Sequence, residues 1–159
     1  LKAEYDWLKT YLELENLRME GSLNYEIDLD KALHPERIYV PTMVLQPYVE
    51  NAIIHGLLPK TGEKNLNIDI RAEEQNLRCV ITDNGIGREQ SHILNKARLK
   101  QHESTAMSLT KDRLAILNIE AGEGLGPVVT DLYDTNGKAI GTKVELVLPL
   151  IIQNENIRA

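Results

Sequence analysis

Glu50, Asn51 and His55 stand out as polar side chains in an otherwise apolar stretch, residues 41–57, which reads Pro-Thr-Met-Val-Leu-Gln-Pro-Tyr-Val-Glu-Asn-Ala-Ile-Ile-His-Gly-Leu. Leu45, Tyr48, Val49, Ala52, Ile53 and Leu57 recur at three- and four-residue spacing, which predicts a helix over 41–57 with one face in the core. At about 100° per residue, Asn51 and His55 lie one turn apart on a common face, with Glu50 on its flank. Polar groups so placed are costly unless solvent, a metal or a ligand satisfies them. The helix therefore carries either a ligand site or a solvated face that ends in His-Gly.

A second group begins where Leu77-Arg-Cys-Val-Ile-Thr runs into Asp83-Asn84-Gly85-Ile86-Gly87. Asn-Gly after a strand usually marks a hairpin. Here the residues that follow, from Arg88 to Leu99, read as a helix, and no partner strand begins within reach. A strand ending in an aspartate and two glycines lets backbone approach a ligand closely, while the carboxylate can accept a hydrogen bond from an exocyclic amine. The comparable Asp134-Thr-Asn136-Gly137-Lys lies between two strand-like runs and reads as a plain turn.

The elements that must position these groups follow from periodicity. Residues 1–20 form an amphipathic helix with Leu1, Tyr5, Leu8, Leu12 and Met19 on one stripe, stopped by Gly21. That helix either packs on the domain or continues a longer helical element. Strict alternation over 23–30 predicts a half-buried strand, and Ile38-Tyr-Val40 is a short apolar run before Pro41. Leu66, Ile68, Ile70 and Ala72 alternate, Glu74-Gln-Asn76 turns the chain, and 77–82 returns, an antiparallel pair that delivers Asp83 at its end. Residues 109–121 read as a second core helix after Ser108, closed by Gly122. Residues 127–134 and 139–149 make a final hairpin, and the polar last ten residues are expected to fray. Strands and helices interleaved without repeating βαβ units predict a two-layer α/β sandwich, with a mixed sheet of about five strands and helices on one face.

Composition narrows the function classes. The 159 residues, 42% hydrophobic and 26% charged, suffice for one ordinary domain with its own core. A net charge of −6 excludes general nucleic-acid affinity, which needs a basic surface. Between 88 and 113, however, six basic residues (Arg88, Lys96, Arg98, Lys100, Lys111, Arg113) face three acidic ones, a local excess suited to a triphosphate or simply to solvent. The lone Cys79 has no disulfide partner and reads as a small buried hydrophobe in a strand. His34, His92 and His102 lack metal-ligand spacing, which argues against structural zinc. No apolar run approaches the length of a membrane span.

Taken together, Glu50-Asn51-Ala52-x-x-His55-Gly56, then Asp83-Asn84-Gly85-x-Gly87, then Gly141-Thr142-Lys143-Val144 resemble the Bergerat-type ATP-binding fold of the gyrase, chaperone, histidine kinase and MutL superfamily. The resemblance is nearest to sensor histidine kinases of the LytS type, in which a helix reading Leu12-Glu-Leu-Glu-Asn-Leu-Arg18 precedes the Leu45-Gln-Pro-Tyr-Val-Glu-Asn block. It covers roughly positions 4 to 149.

The resemblance implies a mostly antiparallel five-stranded sheet and bound ATP with Mg²⁺. It implies that Asn51 ligates the metal, that Glu50 contacts the metal shell or acts as a base, and that His55 reaches phosphate or holds the helix end, with Arg113 of the basic run as a further phosphate contact. It implies further that Asp83 accepts from the adenine amino group with help from the Thr142 hydroxyl, and that Gly85 and Gly87 let base and phosphates approach. By the same likeness, 1–21 is a linker helix from a dimerisation region, 22–150 the ATP-binding domain and 151–159 a tail. The implied partners are a histidine-bearing dimerisation domain, a response regulator and, in the full protein, a second copy. The implied setting is the cytoplasmic domain of an inner-membrane-anchored parent.

Three departures qualify the likeness. Superfamily members that hydrolyse ATP efficiently carry a Glu four positions before the metal-binding Asn, where this chain has Pro47. The lid reads Ser104-Thr-Ala106-Met-Ser-Leu109 in place of Gly-x-Gly-Leu, and the acceptor motif Pro-His-Phe-Leu-Phe-Asn has no counterpart in a chain without Phe. The alternatives are a degenerate nucleotide-binding module without catalysis and a serine kinase of the anti-sigma-factor type.

Overall fold

A computed structural model describes residues 1–98 and 127–153 of the chain. The readings for the 104–109 lid, the 109–121 helix and Arg113 lie outside the described residues. Helix α1 (Lys2–Arg18) leads into strand β1 (Leu23–Leu29), a single 3₁₀ turn (Pro35–Arg37) and β2 (Ile38–Tyr39). Helix α2 (Gln46–Asn51) continues directly as a π-helical segment (Ala52–Leu57), before β3 (Lys64–Glu73), β4 (Asn76–Asp83) and α3 (Arg88–Arg98). Strands β5 (Val128–Tyr133), β6 (Ala139–Pro149) and β7 (Ile151–Ile152) close the described chain.

The main sheet has five strands in the order β1-β3-β4-β6-β5, with β1 parallel to β3 and every other pairing antiparallel. Alternation sets the register, because a one-residue slip would turn every apolar side chain to the wrong face. Ile68 lies opposite Ile81, Ile70 opposite Cys79, and Cys79 in turn opposite Leu146. These inward residues meet Leu8 and Leu12 of α1 and Leu45, Val49, Ile53 and Leu57 of the second helix in one buried cluster. The outward face of the sheet carries charge instead. The Arg78 Nε and Nη2 atoms both lie 3.0 Å from Glu145, Lys143 lies 3.0 Å from the same carboxylate, and Arg71 bridges Asp69 and Asp28. Apolar on one side and ionic on the other, this is the two-layer sandwich with helices on one face that the alternation predicts.

Two boundaries differ from the expectation. The second helix starts at Gln46 rather than 41, because Met43 adopts φ 61, a left-handed conformation that no helix continues through. Pro47 in its first turn is the local signal for that later start. The expected fraying of the last ten residues fails at Ile151–Ile152, where β7 pairs with β2 and Gln153 N donates to Arg37 O at 2.7 Å. The 134–138 turn forms as expected, with Asp134 Oδ1 accepting from Asn136 N and Lys138 N, both at 2.9 Å.

Candidate functional site

Asp83 is the last residue of β4 and continues the inward phase of Leu77, Cys79 and Ile81. The sheet thus places a carboxylate where the alternation calls for an apolar side chain. Only 4% of its surface is exposed. Its Oδ1 accepts from Gly85 N at 2.8 Å, so the carboxylate folds the following turn onto itself. Burial pushes the carboxyl up to about 6, against backbone hydrogen bonds from Gly85 and Thr142 and the nearby Lys60 charge, which pull it down. A buried carboxylate with so perturbed an affinity for its proton marks a functional-site candidate.

The end of the π-helical segment packs directly on this turn. Ile86 N donates to Gly56 O at 3.1 Å. A methyl group at Gly85 would stand 2.5 Å from the Gly56 backbone, and one at Gly56 would stand 2.9 Å from Asp83 Oδ1. Both glycines are therefore required by the contact between helix and turn. Gly141 is required on the other side, where an added Cβ would fall 2.0 Å from Asp83 O. The two sequence blocks, separated by a whole hairpin, meet through backbone at van der Waals distance.

The remaining candidates take their places around that junction. Thr142, half-buried on β6, is the register partner of Asp83. Asn51 is the last residue of α2 and His55 lies in the π-helical segment, both half-buried. There Leu58 N reaches back five residues to Ile53 O at 2.8 Å, so the turn is wider than the α-helical spacing expected for Asn51 and His55. Glu50 accepts from Gln46 Nε2 at 2.8 Å along the helix. Gly87 holds φ +78 and abuts Ala139. Cys79 is wholly buried, and burial pushes its thiol up to about 12, which leaves it the inert hydrophobe its strand position predicts.

Two residues of the junction escape the sequence reading. Asn84 pins the turn to the start of β3: its Oδ1 accepts from Asn65 N at 2.8 Å and its Nδ2 donates to Glu63 O at 3.2 Å. Lys60 donates to Asn84 O and supplies the positive charge near Asp83. Asn84 carries a signal inside Asp-Asn-Gly, but Lys60 sits in a polar loop with none. Arg88, one of the basic residues counted toward a triphosphate, instead pairs with Asp131 of β5 through Nε at 2.8 Å and Nη2 at 2.6 Å.

No family model matches the chain. Against curated proteins it is 37% identical over 106 residues to the sensor protein LytS of Oceanobacillus iheyensis, covering 65% of this chain and 18% of that protein. Over those residues the chain is similar to a LytS-type sensor histidine kinase. A sensor-like histidine kinase of Staphylococcus epidermidis is 30% identical over 103 residues, and the Staphylococcus aureus sensor protein kinase HptS is 30% identical over 93. The chain spans about a fifth of the length of these proteins. Solved structures agree on the fold. The histidine kinase domain of a blue-light-activated kinase from Erythrobacter litoralis matches with TM-score 0.57 at 14% identity, covering 91% of this chain and 60% of that one. The mycobacterial sensor kinase MprB matches with TM-score 0.56 at 15% identity, covering 94% and 97%.

Proposed function

We propose that this chain is the ATP–Mg²⁺-binding part of a longer sensor histidine kinase, with the nucleotide bound beside the junction where the Asn51 helix meets the 83–87 turn. The observation that carries the reading is the buried, ionisable Asp83, built into the floor of a helix–turn junction that only glycines permit. A carboxylate near 6 is about nine-tenths ionised at neutral pH and accepts hydrogen bonds, as an adenine amino group requires. Thr142, its register partner, adds a hydroxyl beside it.

The donor set also fits the metal. Mg²⁺ favours oxygen and keeps several waters, so one protein amide plus phosphate oxygens is an ordinary arrangement. Asn51 offers that amide, and Glu50 lies next to it with a carboxylate for the surrounding waters. Among the described residues, no group of three or more His, Cys, Asp or Glu side chains forms a metal cluster. Bound ATP supplies the phosphoryl group. The chain's own part is to hold the base at Asp83 and Thr142, give Gly85 and Gly87 to close approach, and orient the phosphates with Asn51, His55 and Arg113.

The acceptor is a histidine on a dimerisation domain of the same protein, to which 1–21 is the linker. A neutral imidazole already offers an unprotonated nitrogen, which accords with Pro47 in place of a water-activating Glu. The full protein acts as a homodimer that passes phosphate to a response regulator, and this chain is the cytoplasmic domain of that membrane-anchored parent. Among the described residues, no helix is long and apolar enough to cross a membrane.

Calorimetry with ATP, with and without Mg²⁺, tests the reading. Saturable, Mg²⁺-dependent binding supports it, and no binding in either condition overturns it. A dimerisation-helix fragment added in trans should then gain acid-labile phosphohistidine. Acid-stable phosphoserine would point to the anti-sigma-factor type instead, and binding without transfer to the degenerate module that the altered lid sequence allows.

A further inference from the structure

A helix leaves its first backbone N–H groups without partners, and a short side chain at its start usually supplies an acceptor. Helix α2 starts behind Leu45, which has no such group. The acceptor comes instead from α1, some forty residues earlier. Glu4, only 6% exposed, receives Leu45 N at 2.8 Å and Gln46 N at 3.1 Å on Oε1, and Met43 N at 2.9 Å on Oε2. One buried carboxylate thus takes three N–H groups and holds the left-handed Met43 in place.

The connection runs on toward the site. Gln46, whose N–H reaches Glu4, donates from its Nε2 to Glu50 Oε1 at 2.8 Å, and Glu50 precedes Asn51. At the other end, Leu8 and Leu12 lock α1 into the core with no exposed surface. We propose that Glu4 is a positioning residue for the Asn51 amide, and that through it the placement of α1 sets the Mg²⁺-dependent affinity for ATP. The inference deepens the reading of Asn51 as a metal ligand and rests on it. A shift of α1 along its axis withdraws the carboxylate from three amides together, which frees the start of the helix that carries Asn51.

The test compares Glu4→Gln and Glu4→Asp with the unaltered 159-residue chain. Amide hydrogen exchange over 43–57 and over β3 and β4 is read alongside ATP affinity in Mg²⁺ and in EDTA. Glu4→Gln should speed exchange from 43 through 51 by about tenfold or more while β3 and β4 keep their protection. It should weaken ATP about tenfold in Mg²⁺ and leave affinity in EDTA unchanged, as loss of a positioning partner does at metal sites. Glu4→Asp, which keeps the charge with a shorter reach, should fall between; it carries the same comparison if Glu4→Gln does not fold.

Faster exchange that stops at Gln46, with Mg²⁺-dependent affinity intact, makes Glu4 a local cap and overturns the inference. Equal loss of affinity in Mg²⁺ and EDTA also overturns it, since a general structural role does that. If the unaltered chain fails to bind ATP, the proposed function falls; the exchange arm still decides whether Glu4 governs the placement of Asn51.

Discussion

Replacing Asp83 with Asn removes a charge from a place where charge is costly, so a residue needed for binding should be one that weakens the fold. The carboxyl is raised from 3.8 to about 6 by burial. The folded protein therefore holds this proton more tightly than the unfolded chain, and the stability so gained at low pH is lost as pH rises from about 3.8 toward 6. Linkage puts the loss at about 1 kcal/mol by about pH 4.5 and about 3 kcal/mol by about pH 7.5. Asp83→Asn has no such dependence. Its amide keeps an oxygen for Gly85 N–H and brings an N–H₂ group whose burial costs about 1–3 kcal/mol, but that cost is the same at both pH values.

The quantity to measure is therefore the change in the stability difference. Urea denaturation of both proteins should show the variant gaining about 2 kcal/mol on the unaltered chain between about pH 4.5 and about pH 7.5. Calorimetry near neutral pH should show ATP affinity falling roughly tenfold to a hundredfold, because an amide donor now faces the adenine amino group. A variant that gains nothing between the two pH values refutes the reasoning about burial. A variant that binds ATP as the unaltered chain does refutes the role of Asp83.

Further outcomes follow from the same geometry. ATP affinity of the unaltered chain should fall below about pH 6, by at most about tenfold per pH unit, as Asp83 takes up its proton, and a flat profile from calorimetry would contradict this. Gly85→Ala places a Cβ 2.5 Å from the Gly56 backbone and should cost about 1–3 kcal/mol in urea denaturation; an unchanged midpoint would mean that the junction opens freely. Arg88→Ala breaks a pair in which the arginine side chain is 53% exposed, so stability should change by less than about 1 kcal/mol and ATP affinity not at all. A marked loss of affinity there would return Arg88 to the phosphates. With Pro47 where efficient hydrolases carry Glu, a phosphate-release assay should find the isolated chain hydrolysing ATP at well under about one turnover per second.

The parts of this fold that were legible are those governed by short-range periodicity. Leu66, Ile68 and Ile70 on β3 and Leu77, Cys79 and Ile81 on β4 announce both strands and their inward face, and the turn at 74–76 joins them as the pattern requires. Asp83 was legible as a candidate because it ends a strand just ahead of two glycines, where a carboxylate can meet a ligand. What the pattern could not show depends on contacts distant in sequence. The start of α2 is set by Glu4, some forty residues away, and by a left-handed Met43 that no local propensity favours. The π-helical widening after Asn51, the anchoring of Asn84 on β3 and the pairing of β7 with β2 arise the same way, from backbone groups finding partners in the folded chain. Gly85 carries a further lesson. Its missing side chain reads as room for a ligand, yet the first neighbour to use that room is Gly56.

The most direct test of the account is a nuclear magnetic resonance titration of the amide-labelled chain with ATP and Mg²⁺. If one nucleotide spans both sequence blocks, the amides of Asn51 and of residues 83–87 shift together along a single saturation curve, and removing Mg²⁺ weakens the response at Asn51 most. Shifts confined to one block, or curves that saturate at different concentrations, would mean that the two blocks do not share a ligand.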